Sequence, residues 1–216
     1  MLPEALSNGL CSLKAGEKRT AMCCEMQIGR DGRKISHKFF RAMILCKAGL
    51  AYEEAQAASD GHLTDRTRDL KEDVIDPLWS CWKAMLKARA ETPSLDLDMP
   101  ERQIVLRNDG EVAGVKVKER LEAHRLIETM MVAANVCAAE TLEEVGQPLI
   151  YRVHEDPDPE RLEGLQQYLQ SMNYSLPDGQ VLSPVAFNRI LHKAREREEI
   201  DLVSLAILRS QMQAVY

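Results

Sequence analysis

The alternation of apolar and polar positions divides the chain into two hairpins and a series of helices. Thr20 to Ile28 and Lys34 to Leu45 are rich in β-branched, aromatic and sulfur side chains, and Gly29-Arg30-Asp31-Gly32 stands between them. Asp-Gly supplies the positive-φ positions of a tight turn, so this pattern predicts a β-hairpin. A second hairpin is predicted from Gln103 to Leu106, the turn Asn108-Asp109-Gly110, and Val112 to Val117. Residues 1–19, with Pro3, Gly9 and Gly16, read as irregular, and Tyr52 to Ala58 as a short helix before the loop Asp60-Gly61-His62.

Longer helices follow from three- and four-residue spacing. Leu70, Val74, Leu78, Cys81/Trp82 and Met85 form one apolar stripe over Leu63 to Ala90. Pro77 predicts a kink or break within it, because its ring removes a backbone donor, and Thr92-Pro93 ends it. Glu119 to Val145 is the next helix, stopped by Gly146 and Pro148. Leu149 to Val153 reads as a short strand. Asp158-Pro159 places an N-cap and a first-turn proline before a helix to about Ser171. Ser183-Pro184 repeats the signal for a helix to about Glu198, and Asp201 to about Met212 is the last. With no internal repeat and no linker composition, the expected class is α+β: hairpins and several long helices sharing one core, in a single domain over residues 1–216.

The helix over 119–145 carries the most pointed chemistry. From Leu126 to Ala139 it is apolar nearly all round, which predicts burial on most sides, yet Glu128 and Asn135 lie within it. At about 100° per residue, His124, Glu128 and Asn135 fall within about 40° of each other and make one polar stripe. A buried carboxylate is costly unless paired. Either Glu128 meets a structural partner, such as a buried arginine, or it faces a polar channel; the pattern leaves both open.

Composition narrows the setting. The longest near-apolar run, Met130 to Ala139, is far short of a membrane span, and no signal-peptide pattern opens the chain, so a cytoplasmic protein with no membrane contact is expected. Six cysteines (11, 23, 24, 46, 81, 137) lack any Cys-x-x-Cys pair, which argues against zinc and for reduced, buried thiols. Cys23 and Cys24 are adjacent in a strand and so point to opposite faces. The net charge of −6 argues mildly against nucleic acid. Against that, residues 14–41 hold eight Lys/Arg and three acids, a local balance of +5. That segment is either a phosphate-facing patch or a solvated hairpin surface.

Two longer motifs carry a resemblance. Leu2-Pro3-Glu4-Ala5-Leu6-Ser7-Asn8-Gly9-Leu10-Cys11-Ser12-Leu13 and His124-Arg125-Leu126-Ile127-Glu128-Thr129-Met130-Met131-Val132-Ala133-Ala134-Asn135, in this order and at this separation, resemble the catalytic domain of the ribonuclease II / ribonuclease R family, on the side of the bacterial ribonuclease R-like exoribonucleases. The resemblance implies an RNB-type fold, single-stranded RNA as partner, and processive hydrolytic 3′→5′ degradation to nucleoside 5′-monophosphates with Mg2+. In that family the magnesium-binding aspartates precede the Leu-Pro-Glu motif, and a Ser-Pro-Ile-Arg type motif lies beyond the position of Tyr216. The resemblance therefore implies a central portion with RNA contacts but no catalytic residue or metal ligand of its own. Such a portion would be inactive alone and completed by a polypeptide carrying the missing segment. The alternative is a non-catalytic RNA- or partner-binding module.

The resemblance also implies roles. Glu128, in Arg-Leu-Ile-Glu, would lie in the RNA channel, where a carboxylate can accept a hydrogen bond from a ribose 2′-hydroxyl that DNA lacks. Tyr52, in Ala48-Gly49-Leu50-Ala51-Tyr52-Glu53-Glu54, would share that task, with Arg125 and Asn135 beside them; the alternative is that Tyr52 only anchors a helix start. His154 or Arg152, in Tyr151-Arg152-Val153-His154-Glu155, would touch phosphate or simply end a strand. Leu97 stands where the family tends to place a base-stacking phenylalanine. Asp96 and Asp98 flank it as a weak metal pair or a polar strand face. Asp156 and Asp158 read as turn and cap residues.

Overall fold

The computed structural model describes residues 2–90, 95, 97, 101–107, 109–118, 120–175 and 184–216. The readings of Asp96, Asp98, Asn108 and Ser183 fall outside them. Helices and two antiparallel hairpins make up the fold, the expected α+β class. The apolar stripes are divided between two cores rather than gathered in one. One compact unit comprises residues 1–91 and 120–149, the other 92–119 and 150–216.

The first unit opens with a π-helical turn over Ala5–Leu10, where the sequence reads as irregular. Strands β1 (Lys18–Ile28) and β2 (Lys34–Leu45) then pair around the predicted Asp-Gly turn. Gly32 is at φ +80°, and a Cβ there would stand 1.9 Å from the Ala84 carbonyl oxygen. Absence of a side chain thus seats the turn on the helix carrying Ala84. That helix, α2 (Asp76–Arg89), has Pro77 in its first turn. The helix expected over 63–90 with a kink or break at Pro77 is broken there: a turn, a 3-10 segment (Arg68–Leu70) and a π segment (Lys71–Ile75) precede α2. The proline thus fits a fresh helix start, where no backbone donor is required of it. The register change moves Val74 to the surface and turns Ile75, Trp79 and Trp82 inward. With Ala58 of α1 (Tyr52–Ser59) and Ala123 and Leu126 of α3 (Glu122–Glu144), these three form the core. The Trp82 indole N–H donates to Thr129 Oγ1 at 3.2 Å, so the indole is buried with its polar atom paired.

Helix α3 corrects one expectation. Only Ala123, Leu126, Thr129 and Cys137 are buried, whereas Met131, Val132 and Val136 are exposed. One face meets α1, α2 and β1; the apolar residues on its other faces meet solvent in this chain. The cysteine expectation is corrected as well: Cys137 is buried, but Cys11 is exposed and the other four are partly so, all of them unbridged.

The second unit holds the hairpin β3 (Glu101–Leu106) and β4 (Val112–Lys118), and helices α4 (Pro159–Ser171), α5 (Pro184–Glu196) and α6 (Ile200–Ser210). The Asp158 side chain accepts from Glu160 N at 2.8 Å, the cap read from the sequence. No strand forms over 149–153; Val153 makes a single bridge with Val215. Leu165, Leu169, Phe187, Ile190, Leu191, Val203 and Ile207 pack the helices together, and Leu97 packs against this cluster. Tyr174 is buried there with its hydroxyl donating to Glu199 Oε2 at 2.6 Å, under the Arg197 guanidinium. Burial first, then the bond to Glu199, pushes the Tyr174 pKa up.

Two predictions follow from this packing. Gly32→Ala should destabilise the first unit by about 2 kcal/mol or more, from positive φ and the overlap with Ala84; an unchanged urea midpoint would contradict it. Because the Tyr174 phenol holds its proton longer when folded, the unfolded chain loses that proton first as pH rises. Stability should therefore fall with pH above the ordinary tyrosine range, from full strength below it. Tyr174→Phe should flatten that alkaline decline in chemical-denaturation curves.

Candidate nucleic-acid interface

Helix α1 begins at Tyr52, and α3 begins two residues before His124. The helices are clipped together at these ends: Gln56 Oε1 accepts from Ala123 N at 3.0 Å, satisfying a first-turn donor of α3. The clip sets Tyr52 flat on His124, ring centroids 4.1 Å apart and planes 19° from parallel. His124 Nδ1 accepts from Leu121 N at 3.2 Å, which fixes the ring from behind. The outer Tyr52 ring remains exposed. One turn along α3, about 6 Å by helix rise, Glu128 extends from the same face.

Glu128 is exposed, not buried, and its carboxylate is bonded by the Arg120 guanidinium. Of the two alternatives left open, it has an arginine partner, but one at the surface. The sequence reading missed Arg120. Its only signal is a cation two residues before the helix N-terminus, a position from which it reaches forward to a carboxylate in the second turn. An exposed pair of this kind contributes only about 0.2–1 kcal/mol, so a ligand that offers a hydroxyl to Glu128 and a phosphate to Arg120 can divide it at little cost.

The structure brings Tyr52, His124 and Glu128 together. Arg125 is exposed in the same turns of α3, and Asn135 is exposed two turns beyond Glu128. His154 is exposed in the second unit, next to the Val153 bridge. The basic hairpin is partly neutralised: Arg19 pairs with Glu17, Lys38 with Glu25 at 3.0 Å, and Lys34 with Glu140. The patch as a whole offers an aromatic face, a carboxylate acceptor and a guanidinium, the elements needed to contact a base, a ribose hydroxyl and a phosphate.

Fold and site together define an α+β module in two units, with an exposed aromatic–carboxylate patch at the start of α3. The RNB domain family matches residues 1–216, and the chain belongs to that family. It is similar to ribonuclease R of Vibrio parahaemolyticus, 31% identical over 218 residues, covering 100% of this chain and 26% of that protein. The chain thus spans about a quarter of that relative's length. RNase R of Mycoplasma genitalium, solved with ribose-methylated single-stranded RNA, has the same fold at a TM-score of 0.90 and 24% identity, over 100% of this chain and 34% of that one. Yeast Ssd1, a pseudonuclease, superposes at a TM-score of 0.68 with 13% identity, over 99% of this chain and 25% of that one.

Gln56→Leu tests the clip. It leaves the Ala123 N–H without its partner and should lower stability by about 1–3 kcal/mol in urea titrations. An effect no larger than that of an exposed α1 substitution would show that the contact does not hold the two helix ends.

Proposed function

We propose that this chain supplies the RNA-channel portion of a processive 3′→5′ hydrolytic exoribonuclease that releases nucleoside 5′-monophosphates. Membership of the RNB family supports the class. The observation that carries the reading is the Tyr52–His124–Glu128 patch. Two residues that the family resemblance singles out in separate segments, Tyr52 in 48–54 and Glu128 in 124–135, stand on one surface. In this reading Tyr52 contacts the sugar–base unit, Glu128 accepts from the ribose 2′-hydroxyl, Arg120 and Arg125 attract phosphate, and Asn135 lies along the strand's course; His154, in the second unit, is a phosphate contact by the family resemblance alone. Single-stranded RNA is the partner, and the cytoplasm is the setting.

Hydrolysis in this reading draws on divalent metal, magnesium by the family resemblance. Among the described residues the group of three His/Cys/Asp/Glu able to surround an ion is His37, Cys137 and Glu140. Magnesium demands oxygen ligands in octahedral array, and a thiol–imidazole set does not fit it. By the family resemblance, the bond-breaking centre belongs to aspartates that precede the Leu-Pro-Glu motif, and no cleavage step is assigned to a residue of this chain. A second reading, a non-catalytic module, draws support from the likeness of fold to the pseudonuclease Ssd1.

Direct binding tests the patch. Tyr52→Ala should weaken single-stranded RNA binding by roughly 5- to 150-fold, the scale of one stacked base. Glu128→Gln should narrow the preference for RNA over the 2′-deoxy strand, with fluorescence anisotropy at fixed salt as the readout. Equal binding of both strands by the unaltered chain would sink the ribose assignment. Hydrolysis of 3′-extended RNA with Mg2+, with and without a segment restoring the upstream aspartates, separates the two functional readings. Monophosphate release only on complementation supports the nuclease; none in either case supports the binding module.

A further inference from the structure

A second polar cluster lies in the first unit, where the hairpin meets the C-terminal half of α3, and the RNA reading does not use it. Cys24 and Met26 of β1 face inward with His37 and Phe39 of β2, their cross-strand partners. This face rests on Cys137, Glu140 and Thr141. Donor atoms of His37, Cys137 and Glu140 all lie within 4.8 Å of one another. The half-buried Cys24 thiol, on the same inward face of β1, is a neighbour of Cys137 just outside that group of three. We propose that Cys24, His37, Cys137 and Glu140 form a binding site for a zinc ion.

The donor set matches the ion. Two sulfurs, an imidazole and a carboxylate are the ligand types zinc takes in four-coordinate sites. Bonds of about 2.0–2.3 Å separate tetrahedral ligand atoms by roughly 3.5 Å, so closing the group of three requires a contraction of about an ångström, and Cys24 has to move in beside Cys137 to supply the fourth ligand. The four residues come from three elements, which is why the absence of a Cys-x-x-Cys pair hides them in the sequence.

The histidine is already set for a metal. Thr141 Oγ1 donates its single proton to the Cys137 carbonyl at 2.9 Å, so toward the His37 Nε2 at 2.8 Å it can only accept. Nε2 therefore carries a proton. Nδ1 is the nitrogen turned toward Glu140, 3.6 Å from its Oε2. A hydrogen bond on the far ring nitrogen is the usual way a ligating imidazole is oriented.

The cluster already attracts a cation. The Lys34 ammonium bonds the Glu140 carboxylate. It is the internal competitor for the ion and hangs from a flexible stem with part of its length in solvent. Zinc binding would send the Lys34 ammonium outward and release the Cys24 and Cys137 thiol protons to solvent.

Titration of the reduced full chain with Co2+ tests the proposal, because tetrahedral thiolate–cobalt complexes absorb intensely in the visible and show sulfur-to-metal charge transfer. We expect one equivalent bound with these bands, displaced by Zn2+. Cys137→Ser and Cys24→Ser should each reduce the charge-transfer intensity. Thr141→Val should weaken binding about 10- to 100-fold, and Lys34→Met should tighten it by up to about fivefold, the worth of one exposed ion pair. His37→Gln, at a less buried position than Cys137, provides the ligand deletion if Cys137→Ser misfolds. Featureless spectra from both the unaltered chain and Lys34→Met, with native circular dichroism, would overturn the proposal. So would full band intensity surviving in both cysteine variants.

Discussion

The seating of α3 is the constraint on which the first unit depends. One stripe of this helix, Ala123, Leu126 and Thr129, is pressed onto Ala58, Ile75, Trp79 and Trp82. Two directional bonds fix its rotation and its position along its axis: Trp82 to Thr129, and Ala123 to Gln56. Burial alone would tolerate a slide or a roll. A paired indole and a paired helix-terminal amide do not, because either motion leaves a buried donor unsatisfied. The aromatic stack of Tyr52 on His124 follows from that seat, since both residues stand at the helix ends the amide bond joins.

Charge follows a different rule from packing here. The pairs that a sequence reader would credit with stability, such as Lys38–Glu25, lie at the surface and contribute little. Their effect is on the potential, and a small one: Glu17 and Glu25 are already counted in the local balance of +5, and Glu140 lowers it by one more charge. Arg120–Glu128 is of the same exposed kind, which is what a binding patch requires. A buried version would hold its partners too tightly to exchange them for a ligand.

The legible parts of this fold are those set by local chemistry. Asp-Gly turns, the Asp158 cap and the Gly146 stop are decided by a few adjacent residues, and each stands where the sequence places it. Apart from the local turn over Ala5–Leu10, the misreadings involve tertiary context. Pro77 changes the helical register, so the stripe through Val74 becomes one through Ile75. Leu149 to Val153 has strand composition but only a single bridging partner. The apolar circumference of α3 predicts burial, yet burial depends on neighbours that periodicity does not supply. In the candidate site, Tyr52 and Glu128 are singled out by the family resemblance, Glu128 within a long motif and Tyr52 within the shorter segment 48–54. Arg120 is not, since a cation before a helix reveals nothing of its reach, and the thiol–imidazole cluster spans more than 110 positions of chain.

Helix α3 thus carries two polar chemistries on one rod. Glu128 and Glu140 are twelve residues apart, about 18 Å along the axis. That exceeds the screening length of about 8 Å at physiological salt, so a divalent charge held at the C-terminal cluster would change the potential at the aromatic patch very little. Any influence between them has to be mechanical. A ligand bridging β1, β2 and α3 ties the hairpin to the helix, and the hairpin's turn is itself seated on α2 through Gly32. The same α2 holds α3 by the Trp82–Thr129 bond, one turn from His124. A closed loop of contacts, hairpin to α2 to α3 and back, therefore connects the two sites through packing, and the stiffness of that loop rather than electrostatics determines whether one end reports on the other.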